Sequence, residues 1–187
     1  MRKQIIYTII GISLIAVIIT GSTYAYLSST INSRDDVNAN SSNLNIVYSG
    51  SGSFNETISI VSNRNEGSST TITMYTANNS VSPLINLYIN IENMTENLAI
   101  EGFIWEVCAV RSSETPVCND GDFSEYDDTT NNVITILSNY RLTTVPTTFT
   151  IYLWLDGSKI DSELAGAQFS GYIDARSENF RAKFNQQ

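Results

Sequence analysis

Histidine is absent from all 187 residues of the chain. That absence excludes Ser-His-Asp and Cys-His nucleophile activation, imidazole general-base chemistry and the usual zinc sites. Positive charge is scarce as well. Ten lysines and arginines stand against nineteen aspartates and glutamates, a net charge of −9. Beyond Lys3 the only lysines are Lys159 and Lys183. So acidic a body cannot neutralise a phosphate backbone, which excludes nucleic acid as a partner. An anionic membrane surface would repel it too, and the plain consequence of the charge is solubility. Cysteine occurs only at Cys108 and Cys118, too few ligands for a metal centre. A pair of carboxylates could still serve as acid and base, but no spacing singles one out. The expectation is a protein that is not an enzyme and needs no cofactor.

The N-terminus is as distinctive as these gaps. Residues 1–30 read MRKQIIYTIIGISLIAVIITGSTYAYLSST. Arg2 and Lys3 make a basic start, and Ile5 to Ile19 is an apolar run of 15 residues interrupted by Thr8, Gly11 and Ser13. Thr23 and Ala25 then place small residues ahead of a cut between Ala25 and Tyr26, the layout of a secretory signal peptide. Counted through Leu27, the stretch also reaches the roughly 20 residues a membrane-spanning helix needs. Arg2 and Lys3 would then hold its start in the cytoplasm. Residues 1–25 therefore read as a signal peptide or an uncleaved membrane anchor. Either way the body is extracellular, exposed at the cell surface or released. Removing residues 1–25 from 187 leaves 162, enough for one domain with a sizeable core.

In an oxidising compartment Cys108 and Cys118 would most simply form one local disulfide. The segment VCAVRSSETPVCNDGDF reads as a hairpin clipped at its ends, and paired strands bring Cα atoms within the roughly 4.4–6.8 Å a bridge requires. The alternative is two unlinked thiols.

After the leader the hydrophobic period is two. Ile85, Leu87, Ile89 and Ile91 alternate with polar residues, as do Phe149, Ile151, Leu153 and Leu155. Phe103, Trp105, Val107 and Ala109 share a face, and Phe169, Gly171, Ile173 and Ala175 repeat the pattern. Shorter candidates are Leu44–Tyr48, Thr57–Val61, Thr70–Thr76 and Val133–Leu137. Turn formers separate them at Ser49–Gly52, Asn63–Gly67, Asn78–Pro83, Asn119–Gly121 and Asp156-Gly157. Eight or nine short strands predict an all-β antiparallel sandwich over residues 44–177. Only Ser162–Ala167 hints at a helical turn. Residues 26–43 read as a polar linker or a strand needing a partner, and 178–187 as a polar tail.

The stretch from Thr20 to Ser33, TGSTYAYLSSTINS, resembles the signal region of the TasA/camelysin group. These are surface proteins that Gram-positive bacteria export with a signal peptidase of the SipW type. Thr23-Tyr24-Ala25-Tyr26-Leu27-Ser28 stands at the place of the group's Thr-aromatic-Ala pattern. Ser42–Ile46 fits its first strand, and Phe149–Gly157 and Gln168–Ala175 resemble closing strands. The resemblance implies a jelly-roll-like sandwich serving as a structural protein of the cell surface or biofilm matrix. It also implies self-assembly by strand exchange, with Tyr26–Ala39 as donor strand and itself or other matrix proteins as partners. The zinc-protease activity ascribed to camelysin has nothing to support it in a chain without HExxH.

Three further features are weighed as sites. Asp120, Asp122, Asp127 and Asp128, with Glu125, form the densest carboxylate cluster, a candidate for Ca²⁺; the spacing is not an EF-hand, and a solvated acidic turn is the plain alternative. Trp105, Trp154, Tyr152, Tyr172 and Tyr75 would make an aromatic platform for sugars, or else core and cross-strand pairs. Sequons at Asn40, Asn55, Asn78 and Asn93 are incidental in an Asn-rich chain. An uncleaved leader would add the membrane as a partner. The alternatives to a structural role are an extracellular glycan- or protein-binding module and, last, a carboxylate hydrolase.

Overall fold

The computed structural model describes residues 29–31, 37–41, 44–77, 82–95, 98–112, 114–126, 132–160, 164–178 and 180–185. The signal or anchor helix and the Ala25–Tyr26 junction lie outside them. Among the described residues no helix is long and apolar enough to cross a membrane.

Among the described residues thirteen strands form in chain order. They are β1 (Ser29–Ile31), β2 (Val37–Ser41), β3 (Leu44–Gly50), β4 (Ser53–Thr57), β5 (Ile60–Val61) and β6 (Ser68–Thr76). There follow β7 (Leu84–Met94), β8 (Phe103–Arg111), β9 (Val117–Asp122), β10 (Val133–Arg141), β11 (Thr147–Asp156), β12 (Gln168–Ser177) and β13 (Phe180–Phe184). They make two sheets. The first runs β1-β13-β12-β7-β10, with β4 also on β12; the second runs β2-β3-β6-β11-β8-β9, with β5 also on β11. Pairing is antiparallel except for β1 with β13 and β5 with β11. The fold is an all-β sandwich.

The period-two pattern decides which face each strand buries. On β11, Phe149, Ile151, Leu153 and Leu155 are fully buried, while Thr148, Thr150, Tyr152 and Trp154 face outward and stay partly exposed. Ile85, Leu87 and Ile89 of β7 meet them from the first sheet. Phe103 stacks on Phe123 with centroids 4.2 Å apart, and both meet Phe169 edge-on at 5.5 Å. Because Phe103 is on β8 and Phe169 on β12, this cluster joins the two sheets.

Three expectations change. Residues 178–187 are not simply a polar tail: Phe180, Ala182 and Phe184 of β13 are buried, and Tyr48 packs edge-on against both phenylalanines. Arg181 and Lys183 gave the segment its polar look, yet they occupy only the outward positions of a half-buried strand. Asn119-Asp120-Gly121 is no turn but the middle of β9. There the glycine admits the Trp105 indole, as a Cβ would stand 2.4 Å from Cζ2. The segment expected as one strand at Thr57–Val61 is split between β4 and β5, which join different sheets. Within residues 26–43, β1 and β2 form the outermost strands of the first and second sheets. At the expected helical turn, the Ala167 N–H donates to the Leu164 carbonyl at 3.2 Å.

Candidate ligand-binding face of the first sheet

On one side of β12 lies β7; on the other, β4 covers Gln168–Tyr172 and β13 covers Ile173–Ser177. Two strands sharing one edge must pass each other where they meet. Gly52, at φ +48°, makes that passage, since a Cβ there would lie 2.3 Å from Cβ of Phe184. Its carbonyl accepts from the Ile173 N–H at 2.7 Å, so the ladder continues across the junction.

Outside this junction opens a groove of about 560 Å³. Ser53, Asn55 and Glu56 line it from β4, Ser170 and Tyr172 from β12, Glu92 from β7, and Asn185 just after β13. A register shift between Ser170 and Gly171 leaves Glu92 as the extra residue of a bulge, a common device for re-aiming a side chain. Gly171 permits the close packing there, because a Cβ would come within 2.6 Å of the Asn90 carbonyl oxygen. Two amide atoms near Tyr172 are buried without a hydrogen-bond partner: Oδ1 of Asn185, in the groove lining, and Nδ2 of Asn90. Asn90 is the β7 register partner of Tyr172 and is only 8% exposed. Buried polar groups are ordinarily paired, so two unpaired amide atoms beside one groove single it out as a candidate site.

Further along β12 the outward face turns basic. Asp174 is fully buried and accepts from Nε of Arg176 at 2.8 Å and from Nη2 of Arg181 at 2.6 Å. The hydrogen bond to Asp174 holds the Arg181 guanidinium above its ordinary pKa, against the opposing effect of burial. The Arg176 guanidinium lies 4.4 Å over the Tyr88 ring, and the Lys183 ammonium 5.7 Å over the Tyr172 ring. From Ser170 to Arg176 the face is about 20 Å long at the usual strand rise. One end carries Glu56 and Glu92, the other Arg176 and Arg181, with Lys183 between them over Tyr172.

The expected aromatic platform is dispersed. Trp105 is buried inside, with Nε1 donating to the Asp122 carbonyl at 3.2 Å. Tyr75, Tyr152 and Trp154 share the outer face of the second sheet, but Tyr152 pairs with Ser69, so Tyr75 sits about 20 Å away along β6. Only Tyr172 reaches the groove. Sequon residues Asn55 and Asn93 are exposed. Asn40 lies on β2, and Asn78 falls outside the described residues.

The acidic cluster is not assembled among the described residues. Asp127 and Asp128 lie outside them; Asp120 and Asp122 are on β9. Oδ1 of Asp122 is engaged by the Ser124 N–H at 2.9 Å and hydroxyl at 2.5 Å, and these bonds lower its pKa. Among the described residues the one metal-like grouping is Glu106, Cys108 and Cys118. Its sulfurs are joined in the expected disulfide and offer no thiolate. Arg64 bonds Glu106, approaches the Cys108 sulfur at 3.2 Å and lies 5.1 Å over the Tyr152 ring. A second cavity of about 560 Å³, lined by Trp105, Asp122, Glu125 and Thr135, opens beside β10.

Sequence reasoning did not anticipate Asn90, Glu92, Asp174, Arg176, Lys183 or Asn185. The alternation of Phe180, Ala182 and Phe184 with Arg181 and Lys183 could have placed the two cations on one outward face. Nothing in the sequence joins Asn185 to β4 or Asn90 to Tyr172.

No protein-family model matches the chain, and no curated protein matches it. A solved structure of TmCBM61 in complex with beta-1,4-galactotriose is similar over 75% of each chain, at 9% identity and a TM-score of 0.33. Likeness at that level assigns neither ligand nor activity.

Proposed function

We propose that the chain works outside the cytoplasm as a non-enzymatic β-sandwich module that binds a glycan on the outer face of its first sheet. The carrying observation is the pair of buried, unpartnered amide atoms, Asn185 Oδ1 and Asn90 Nδ2, near Tyr172 and its groove. One atom needs a donor and the other an acceptor. A sugar hydroxyl is both at once, and Tyr172 adds an apolar ring edge for the C–H surface of a pyranose. The signal-like leader and the Cys108–Cys118 disulfide support the extracellular setting.

Retention on immobilised polysaccharides tests this reading. The wild-type chain should be held, and Tyr172→Ala or Asn185→Ala should lower affinity about tenfold or more, given that leaving a buried polar group unpaired costs roughly 1–3 kcal/mol. Failure to retain the wild type on any polysaccharide would remove the proposal.

A second reading rests on β1 and β2. The segment after the leader supplies the outermost strand of each sheet. Supplied instead by a neighbouring subunit, such strands would link chains of a jelly-roll-like TasA/camelysin-type surface protein into a matrix. A chain lacking residues 26–43 should then stay monomeric and capture a synthetic peptide of that segment. Polymers formed without the segment would argue against it.

A further inference from the structure

Resting on the glycan-binding role above, we infer that the ligand is an acidic polysaccharide that carries both charged and neutral sugars, its carboxylate at Lys183 and its neutral sugar beside Glu92. In a chain with ten basic residues and net charge −9, three cations (Arg176, Arg181 and Lys183) gather on one stretch of this face. They face one buried carboxylate, Asp174, which both arginines already engage. Lys183 is the register partner of Asp174, yet among the described residues its ammonium has no carboxylate within ion-pair distance. It rests instead over Tyr172, which lines the groove. That leaves a cation at the mouth of a polar groove, placed to receive an anion carried by whatever the groove holds.

The opposite end repels such an anion. Glu56 and Glu92 are both exposed and both line the groove. Carboxylates accept from sugar hydroxyls but not from a second carboxylate. Lys183 pairs with Asp174 and Glu92 bulges out opposite Ser170 and Gly171, so their backbones stand about 10–13 Å apart along β12, beyond the roughly 8 Å screening length at physiological salt. Each end therefore reads its own sugar. A uniformly charged chain is penalised at Glu92, and a neutral chain gains nothing at Lys183.

Calorimetric titration of the exported chain, disulfide intact, separates the cases. The probes are hyaluronan oligosaccharides, with alternating acid and neutral sugars, neutral chitin oligosaccharides and fully charged oligogalacturonates. Hyaluronan should bind about tenfold tighter than either of the others at low salt, and the preference should shrink as salt rises. Lys183→Met, which keeps the stem over Tyr172, should reduce hyaluronan to the affinity of the chitin probe. Glu92→Gln should raise affinity for oligogalacturonate. Equal binding of hyaluronan and chitin oligosaccharides would overturn the inference and leave glycan binding standing. Equal binding of poly-glutamate would overturn it as mere charge attraction. Binding of no sugar would overturn both.

Discussion

Gly121 of β9 and Trp105 of β8 are register partners packed so closely that a Cβ on Gly121 would stand 2.4 Å from Cζ2 of the indole. The indole is held in place by its bond to the Asp122 carbonyl and is 6% exposed. A methyl group at position 121 therefore has to move a ring that is pinned at its nitrogen. Gly121→Ala should cost about 1–3 kcal/mol, the usual range for forcing extra volume into a packed site. The urea midpoint should fall and Trp105 emission should shift to longer wavelength as the indole is displaced toward water. An unchanged midpoint together with unchanged emission would mean that the ring yields freely.

The same pair shows how far the sequence could be read. Phe103, Trp105, Val107 and Ala109 alternate without interruption, and their burial follows from period alone. The sandwich and most of its strands were legible for that local reason, and the disulfide from two cysteines ten positions apart behind an export-type leader. Asn119-Asp120-Gly121 has the composition of a turn, and local chemistry favours one. The glycine is in a strand because of a tryptophan sixteen positions earlier, which is tertiary information. Phe180–Phe184 carries the alternation as well, but two cations in a short terminal segment masked it. The groove was the least legible part. It exists because β4 and β13 share one edge of β12, and the β4 pairing joins residues more than a hundred positions apart. The buried amides of Asn90 and Asn185 acquire meaning only once that pairing is made.

Asp122 and Asp156 use the same device at the ends of their strands, each accepting from the N–H and hydroxyl of the serine two positions on. Both carboxyls are held below their ordinary value of 3.8, first by the serine hydroxyl and then by its N–H. A lowered folded-state pKa means that the unfolded chain binds more protons in this window. The stabilisation is therefore complete above pH of about 4 and is lost as pH falls through the folded values. Carboxyl carbon NMR should show both groups titrating below their ordinary value of 3.8. Ser124→Ala and Ser158→Ala should each move their own aspartate back up and flatten the acid limb of the stability curve. Titration at the ordinary value in the wild type would refute this.

Cys118 lies on β9, an edge strand of the second sheet, directly opposite Cys108 of β8. β9 also reaches β10, where Nδ2 of Asn119 donates to the Ile136 carbonyl at 2.8 Å. The bridge spans a separation of ten residues, and closing so short a loop is worth about 2–3 kcal/mol on the chain-entropy account. Reduction, or Cys108→Ala with Cys118→Ala, should lower stability by that amount. The loss should also be uneven. Hydrogen exchange should speed first at β9 amides, which have one sheet neighbour, and last at Ile151 in β11, which lies between β6 and β8. Uniform acceleration across both strands would mean that β9 does not detach alone and that the disulfide stabilises the whole sandwich.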